Sequence, residues 1–442
     1  RMTYVIYEPG ITHYFRTHFL NAMKKHQIVI IGGGTAGITV AAQLVRKKKG
    51  LDIVIVEPSE KHYYQPAWTL VGAGTYDFED TIRKESDYIP KGVKWIKDKA
   101  TAIYPDKKEV STSNSGDFSY DFLVVAPGLV MRTDLLDGLE AALQKDNVSS
   151  VYLDPKKAWQ SLQNFKGGQA LFTQPDTPIK CGGAPQKFMY LSEHYFRKNK
   201  LRDRSKIIYA TPGSVIFGVE PFKSTLMEVV DRKNLQLRFF HKLVKIDGEN
   251  KRVYFDIVKP FEKLSNLCYN YKEVGADQVE GHVSLPFDML HLAPPQKAPD
   301  FIEQSKLAHQ EGAQKGWINV NINTLQHNEF QNVFALGDAA ALPTAKTGAA
   351  VRKQAPVVVE NLLHLIHNEQ ELSDDYHGYS SCPLVTGYGK MVLAEFNYEG
   401  ERDSDPMISK FFDTSKELWP MWMLKKYGLP FMYWNLMLKG KA

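Results

Sequence analysis

An α/β fold of two Rossmann-like units followed by an amphipathic C-terminal region is predicted by three features of this 442-residue chain. A β-branched run near Gln27 opens onto a glycine fingerprint and a helix. A second such run near Lys206 opens onto a turn that lacks the fingerprint, and the last thirty residues mix large apolar side chains with lysine. The length exceeds one typical domain of roughly 100–200 residues, and a hydrophobic content of 43% is enough for two or three cores.

From Gln27 the chain reads Gln-Ile-Val-Ile-Ile, then Gly32-Gly33-Gly34-Thr35-Ala36-Gly37, then the helix-forming run 38–44. A Gly-x-Gly-x-x-Gly gains meaning as a dinucleotide site only between a strand and a helix, as here. Gly32 permits the tight turn, Gly34 lets the backbone approach a pyrophosphate, and Gly37 lets helix and strand pack closely. Thr35 and Ala36 complete the cradle at the helix N-terminus, whose free amides face the phosphates. The apolar run 51–56 ends on Glu57, twenty residues beyond Gly37, where a carboxylate binds a ribose hydroxyl. Two later segments select FAD. Residues 120–128, ending in Gly128, resemble the strand and turn that precede the second unit in two-dinucleotide flavoproteins, with Pro127 in place of the usual threonine. Residues 332–338 resemble their closing motif, in which the aspartate after Gly337, here Asp338, binds the ribityl chain.

The second unit should begin at the strand 206–210, but this runs into Thr211-Pro212-Gly213-Ser214 without a pyrophosphate cradle. Its next strand, 235–240, ends in His241-Lys242 and lacks a ribose-binding carboxylate. The unit is expected to be retained as structure and unable to hold NAD(P)H.

The formal charge of +5 is spread along the chain without the basic stripe of a nucleic-acid groove, and it suits an anionic membrane surface. Cys181, Cys268 and Cys382 are too few and too widely spaced for a disulfide framework or a zinc site, so no metal is expected. No apolar stretch approaches the ~18–20 residues that span a bilayer, and no signal-peptide core is evident at the start. The protein is expected to be soluble or peripherally attached, with residues 1–22 an extension or tag outside the fold and Met23 a fitting native start.

A thiolate is favoured by a neighbouring cation or a helix N-terminus, and Lys180 before Cys181, with Pro185 opening a helix, offers both. Cys382 also lies in a proline- and glycine-bearing segment, 381–387, whereas Cys268 lies in a polar stretch and reads as structural. The segments Pro178-Ile179-Lys180-Cys181-Gly182-Gly183-Ala184-Pro185-Gln186-Lys187 and Ser381-Cys382-Pro383-Leu384-Val385-Thr386-Gly387-Tyr388 strongly resemble the two cysteine segments of sulfide:quinone oxidoreductases, in particular the branch that includes the mitochondrial enzymes. Residues 64–74, 324–327 and 342–347 match as well, so the resemblance runs from about Met23 to the C-terminus.

The resemblance implies oxidation of hydrogen sulfide to sulfane sulfur, with two electrons passed through non-covalent FAD to a membrane quinone, ubiquinone or menaquinone. It implies that Cys181 and Cys382 form the redox pair, bridged in the resting enzyme, with sulfide attacking Cys382 and Cys181 leaving as the thiolate that donates to the flavin. Lys346 would stabilise the pyrimidine edge of the reduced ring. No further catalytic cysteine stands near the FAD motifs, which favours transfer of one sulfur to a small acceptor over a long polysulfide product. The expected division is 23–130 for the first part of the FAD domain, 131–315 for the second Rossmann-like domain with Cys181, 316–370 for the FAD-domain return and 371–442 for the C-terminal cysteine and membrane region. A peripheral place on the bacterial inner membrane is expected, with the mitochondrial inner membrane as the alternative, and a homo-oligomer is compatible with both.

In the tail, prolines and lysines interrupt residues 418–439 too often for a spanning helix, while Trp, Tyr and Lys beside aliphatic residues suit the headgroup boundary. Trp419, Trp422, Phe431, Tyr433 and Trp434 are expected to form a platform binding the membrane near residues 415–440, beside the quinone entrance. Sulfide reduction of FAD is expected to use only residues upstream. A type II NADH:quinone dehydrogenase is the runner-up, opposed by the missing second fingerprint. A disulfide reductase lacks its closely spaced cysteine pair, and a flavin-bound scaffold protein would not need both special cysteines.

Overall fold

The computed structural model describes residues 23–442, so the extension expected over 1–22 lies outside the described residues. Strand Lys24–Ile31 is flanked by Ile53–Val56 and Asp117–Val125, both parallel to it, with Ile28 opposite Ile53 and Phe122. Lys94–Ile96 extends the sheet on one side. Val333–Ala335 pairs with Asp117–Val125 on the other, so the chain returns to this sheet after building the second unit. Ile28 to Ile31 and Ile53 to Val56 are all buried. The antiparallel strands Glu109–Thr112 and Ala100–Tyr104 extend the sheet beyond Asp117–Val125, and its parallel strands read as continuous β-branched runs without alternation because both of their faces are covered. Helices Thr35–Lys47 and Gly348–Ile366 pack against each other beside it.

The second sheet runs in parallel order Val148–Ser149, Met289–Leu292, Gly168–Thr173, Ser205–Ala210 and Gln236–Arg238, and the antiparallel Cys268–Tyr269 closes its edge. An antiparallel meander of His241–Asp247, Arg252–Ile257, His282–Pro286 and Asp277–Val279 adjoins it. Helix Ala184–Lys198 packs on this sheet with one part of its surface and on the hairpin Ser380–Gly387/Lys390–Phe396 with another. The two-unit expectation holds, and this one helix links the second unit to the C-terminal hairpin.

The tail forms Pro406–Ser409, then Trp419–Met423, which runs through a wide turn at Leu424–Gly428 into Leu429–Asn435, and a last turn at Met437–Lys439. No helix among the described residues is long and apolar enough to cross a membrane. The expected five-residue platform needs correction. Trp419 and Phe431 are each 62% exposed, but Trp422, Tyr433 and Trp434 are buried at 6–7%. The helical tail docks one face on the FAD-type unit, where Trp434 meets Tyr88 with ring centroids 5.0 Å apart and Tyr433 meets Tyr64 at 4.8 Å. Only the opposite face stays free. Met407, Phe411 and Tyr427 are exposed as well, and Ile408 packs into the same cluster as Leu418, Met423 and Leu424, which sets both segments side by side.

Candidate functional site

The first glycine loop has the geometry of a dinucleotide cradle. Gly32 has φ +98°, and a Cβ there would stand 2.3 Å from the Ala126 carbonyl oxygen; at Gly37 it would stand 1.9 Å from that of Gly32. A Cβ at Gly34 would meet nothing within 4 Å, and Gly34 precedes a helix without a side-chain cap, so the first amides of that helix face open space. The Glu57 carboxylate accepts from the Gly33 amide at 2.8 Å and from the Ser59 amide at 2.7 Å. Burial pushes its carboxyl up against the pull of these two amides. Gly128 has φ +73° and open space at its Cβ position. Ala36 packs against Gly337, whose amide donates to Gln354 Oε1 at 2.8 Å. Asp338 makes no side-chain hydrogen bond among the described residues; burial raises its carboxyl while Lys180 and Lys346 draw it down. Uncapped amides, open glycine faces and an unpartnered carboxylate in series fit an extended FAD.

Cys181 and Cys382 come together. Cys181 stands with φ +49° immediately before Gly182-Gly183, its amide donating to Lys346 O at 2.9 Å and its carbonyl accepting from Tyr152 Oη at 3.0 Å. Cys382 is buried in the hairpin opposite Ala394. A Cβ on Gly183 would lie 2.5 Å from the Cys382 sulfur, so only glycine admits that sulfur to the helix start. Both residues are free thiols in the structure, within hydrogen-bonding reach of each other. That bond holds Cys181 well below the ordinary thiol range against the cost of burial, and pushes Cys382 up together with burial. Negative charge is therefore favoured on Cys181 over Cys382, and Cys181 is where the cation sits.

That cation is Lys187, whose Nζ lies 3.0 Å from Cys181 Sγ. Burial would lower the Lys187 ammonium, but the charge of Cys181 and Cys382 lifts it above the usual lysine value. Lys180, the cation expected from sequence adjacency, is directed elsewhere: its Nζ hydrogen-bonds Gln65 Oε1, and burial lowers it. Lys180 bridges to Lys346, and the left-handed turn at Cys181, φ +49°, separates the directions of the two neighbouring side chains. The helix that follows brings Lys187 back over the sulfur. A second buried lysine comes from the tail. Lys425 Nζ donates to Pro66 O at 2.8 Å and interacts electrostatically with Lys187 and both cysteines; burial and the Lys187 charge bring it down to about 7. Neither lysine was legible as a site residue in the sequence, although Lys187 follows Cys181 within one motif and Lys425 stands out as a charge in an apolar run.

Lys346 donates from Nζ to Ala340 O at 3.0 Å and lies 4.1 Å from the centre of the Trp317 ring, with burial bringing it down to about 8. Its backbone pairing with Lys180 ties the Cys181 segment to the Asp338 segment. Cys268 lies apart on the edge of the second sheet, bonded to Leu264 O at 3.1 Å and to Arg238 Nη1 at 3.3 Å. In the second unit the turn after Ser205–Ala210 is closed on itself, because Thr211 Oγ1 accepts from the Gly213 amide at 3.1 Å and from Gln174 Nε2 at 3.0 Å. An amide engaged in this way has no proton to offer a phosphate. Between the tail and residues 71–80 a cleft of about 740 Å³ is lined by Val71, Tyr76, Phe78, Trp159, Tyr427 and Pro430, with Lys156 and Lys426 at its sides.

Residues 26–164 match the family model described as pyridine nucleotide-disulphide oxidoreductase. The chain is 38% identical over 422 residues to the mitochondrial sulfide:quinone oxidoreductase of Mus musculus, covering 95% of this chain and 88% of that protein. Among solved structures, the sulfide:quinone oxidoreductase of Aquifex aeolicus matches with TM-score 0.71 at 20% identity, covering 93% of this chain and 92% of that one. A chain from the mitochondrial ATP synthase assembly of Tetrahymena thermophila matches with TM-score 0.77 at 17% identity, covering 96% and 98%, a likeness of fold alone.

Proposed function

The chain belongs to the sulfide:quinone oxidoreductase family, and from that premise we propose that it oxidises hydrogen sulfide at the Cys181–Cys382 pair and delivers two electrons through FAD to a membrane quinone. The observation that carries this reading is the meeting of the two cysteines over Lys187. The structure holds the pair as free thiols, the reduced form, and the cycle starts from its oxidised form, in which the two sulfurs are bridged. Hydrosulfide attacks the Cys382 sulfur and the bridge opens, leaving a persulfide on Cys382 and a thiolate on Cys181. Lys187 holds that thiolate, and Lys425, in its protonated form, adds a second positive charge that draws the hydrosulfide anion to the sulfurs. The persulfide sulfur passes to a small nucleophilic acceptor, which leaves two reduced cysteines. FAD, when bound against Gly32, Gly34, Thr35, Ala36, Gly37, Glu57, Gly128, Gly337 and Asp338, supplies the two-electron acceptor for closing the bridge again and the link to the quinone. Lys346 is assigned to the flavin's pyrimidine edge, where its charge favours the reduced ring.

Peripheral attachment is supported by the free face of the tail, where Met407, Phe411, Trp419, Tyr427 and Phe431 are exposed near Lys410 and Lys426. The cleft against Tyr427, whose Val71, Phe78, Trp159 and Pro430 side chains suit an apolar ring beside the charged Asp77, Asp80, Lys156 and Lys426, is the site we assign to a lipid-soluble quinone, ubiquinone or menaquinone. The mitochondrial relatives favour the mitochondrial inner membrane over the bacterial inner membrane. The deciding experiment is a visible spectrum of the purified protein. Sulfide should bleach the oxidised flavin, quinone should restore it, and NADH should do neither. Bleaching by NADH at a comparable rate would move the assignment to a type II NADH:quinone dehydrogenase.

A further inference from the structure

The tail reaches the dinucleotide loop through one hydroxyl. Tyr433 Oη lies 2.8 Å from Thr35 Oγ1, a residue of the glycine fingerprint 398 positions away, and 2.6 Å from His62 Nε2. His62 Nδ1 lies 3.0 Å from Glu85 Oε2. Tyr433, His62 and Glu85 are 6%, 4% and 1% exposed. Glu85 Oε1 is buried without a partner and stands where a Cβ on Gly33 would come within 2.5 Å of it. The series therefore leaves the loop at Thr35 and returns to it at Gly33. A carboxylate accepting from Nδ1–H selects the imidazole tautomer whose Nε2 accepts. Tyr433 then donates to His62, and its oxygen accepts from the Thr35 hydroxyl. The Thr35 hydroxyl is thereby used on the protein side, which fixes the first residue of a helix whose uncapped amides must face a pyrophosphate. The Tyr433 ring is itself held between Tyr64 at 4.8 Å and Trp434 at 5.0 Å.

We propose that Tyr433 is a positioning residue for the cofactor: the tail sets the glycine loop in the form that receives FAD, so docking of the tail and retention of FAD are one event. This rests on FAD as the ligand of that loop.

The test is Tyr433→Phe in the full chain, reading FAD release by fluorescence and the thermal midpoints of the holo- and apoproteins. Loss of the hydroxyl leaves Thr35 and His62 short of a buried partner. The FAD dissociation constant should rise about tenfold, which corresponds to about 1.4 kcal/mol, and the rise in midpoint on adding FAD should shrink. Thr35→Val should weaken FAD binding by a smaller factor, because it leaves the Tyr433–His62 bond intact, and the double variant should be no worse than Tyr433→Phe, the signature of a shared interaction. Asn435→Ala, exposed on the same helix, should retain FAD like the parent. An FAD dissociation constant for Tyr433→Phe within twofold of the parent would overturn the proposal. Equal losses of midpoint with and without FAD would also overturn it, because they describe a residue that merely stitches the tail to the fold. A parent protein that takes up no FAD would overturn the FAD reading and this inference with it, whereas a parent that binds FAD beside an indifferent variant would refute the inference alone.

Discussion

Lys187 Nζ lies 3.0 Å from Cys181 Sγ, six residues along the chain, and no carboxylate shares the contact. A fully buried ammonium needs a countercharge, and the sulfur is the one on hand. Charge-assisted bonds of this kind are worth about 1.5–3 kcal/mol, so Lys187→Met should raise the Cys181 pKa and slow its alkylation at neutral pH on the order of tenfold. The pH dependence of alkylation in the reduced enzyme measures this. An unchanged profile would mean that the Lys187 charge does not act on the thiol.

Serine at either member of the pair should separate binding from chemistry. Cys181→Ser and Cys382→Ser are expected to keep bound flavin, because neither touches the glycine loop, and to lose sulfide turnover by about a thousandfold or more on the scale of a missing nucleophile. Cys268→Ser, at the edge of the second sheet, should stay within about twofold of the parent. Quinone reduction assays at saturating sulfide compare the three.

Gly183→Ala probes the approach of the two sulfurs without touching either. The new methyl would arrive 2.5 Å from Cys382 Sγ, well inside contact distance, and the hairpin strand would have to move away. Flavin content should be normal and sulfide bleaching severely slowed, as seen by stopped-flow absorbance. Ordinary bleaching would imply that the pair does not need this spacing.

Lys425 gives a pH dependence whose sign can be worked out. Its folded value of about 7 lies below the ordinary 10.5, so between those values the unfolded chain binds more protons and stability rises with pH. Below about pH 7 the folded protein carries the full cost of the buried charge, roughly 3–5 kcal/mol from the size of the shift. Lys425→Met should therefore stabilise the protein most at pH 6, with the advantage fading by pH 9–10. Denaturant titrations at the two pH values check it, and a constant difference would place the lysine's proton elsewhere.

The tail divides into a free face and a docked face, with separable effects. Replacing Trp419, Tyr427 and Phe431 by serine should release the protein from anionic vesicles, since each large side chain buried in the interface contributes roughly 1.5–3 kcal/mol. Flavin content and reduction by sulfide should persist. Truncation from Leu418 should instead lose flavin and sulfide reduction together with membrane binding, because it removes Tyr433 from the glycine loop and Lys425 from the sulfur site. A truncated protein that still holds flavin and bleaches normally would restore the view that the sulfide half-reaction uses only upstream residues.

The sequence by itself determined the elements whose chemistry is local. A glycine fingerprint between a β-branched strand and a helix, a carboxylate twenty residues on, and a second unit without a cradle are decided by neighbours in the chain, where backbone geometry and residue type are directly coupled. The two special cysteines were legible for the same reason, because glycine and proline beside them signal unusual backbone. The tertiary structure alone decided which charges face the sulfurs and which side of the tail is free. Lys180 is adjacent to Cys181 in sequence, but its ammonium is bonded to Gln65 across a left-handed turn, and the helix that follows brings Lys187 in. Trp422, Tyr433 and Trp434 have the composition of a membrane platform, but packing buried them: Tyr433 and Trp434 against Tyr64, His62 and Tyr88, and Trp422 in a cluster with Leu70, Val385 and Met391. Composition records how much apolar surface a segment has. Which partner covers that surface depends on contacts between residues hundreds of positions apart, and no local pattern encodes them.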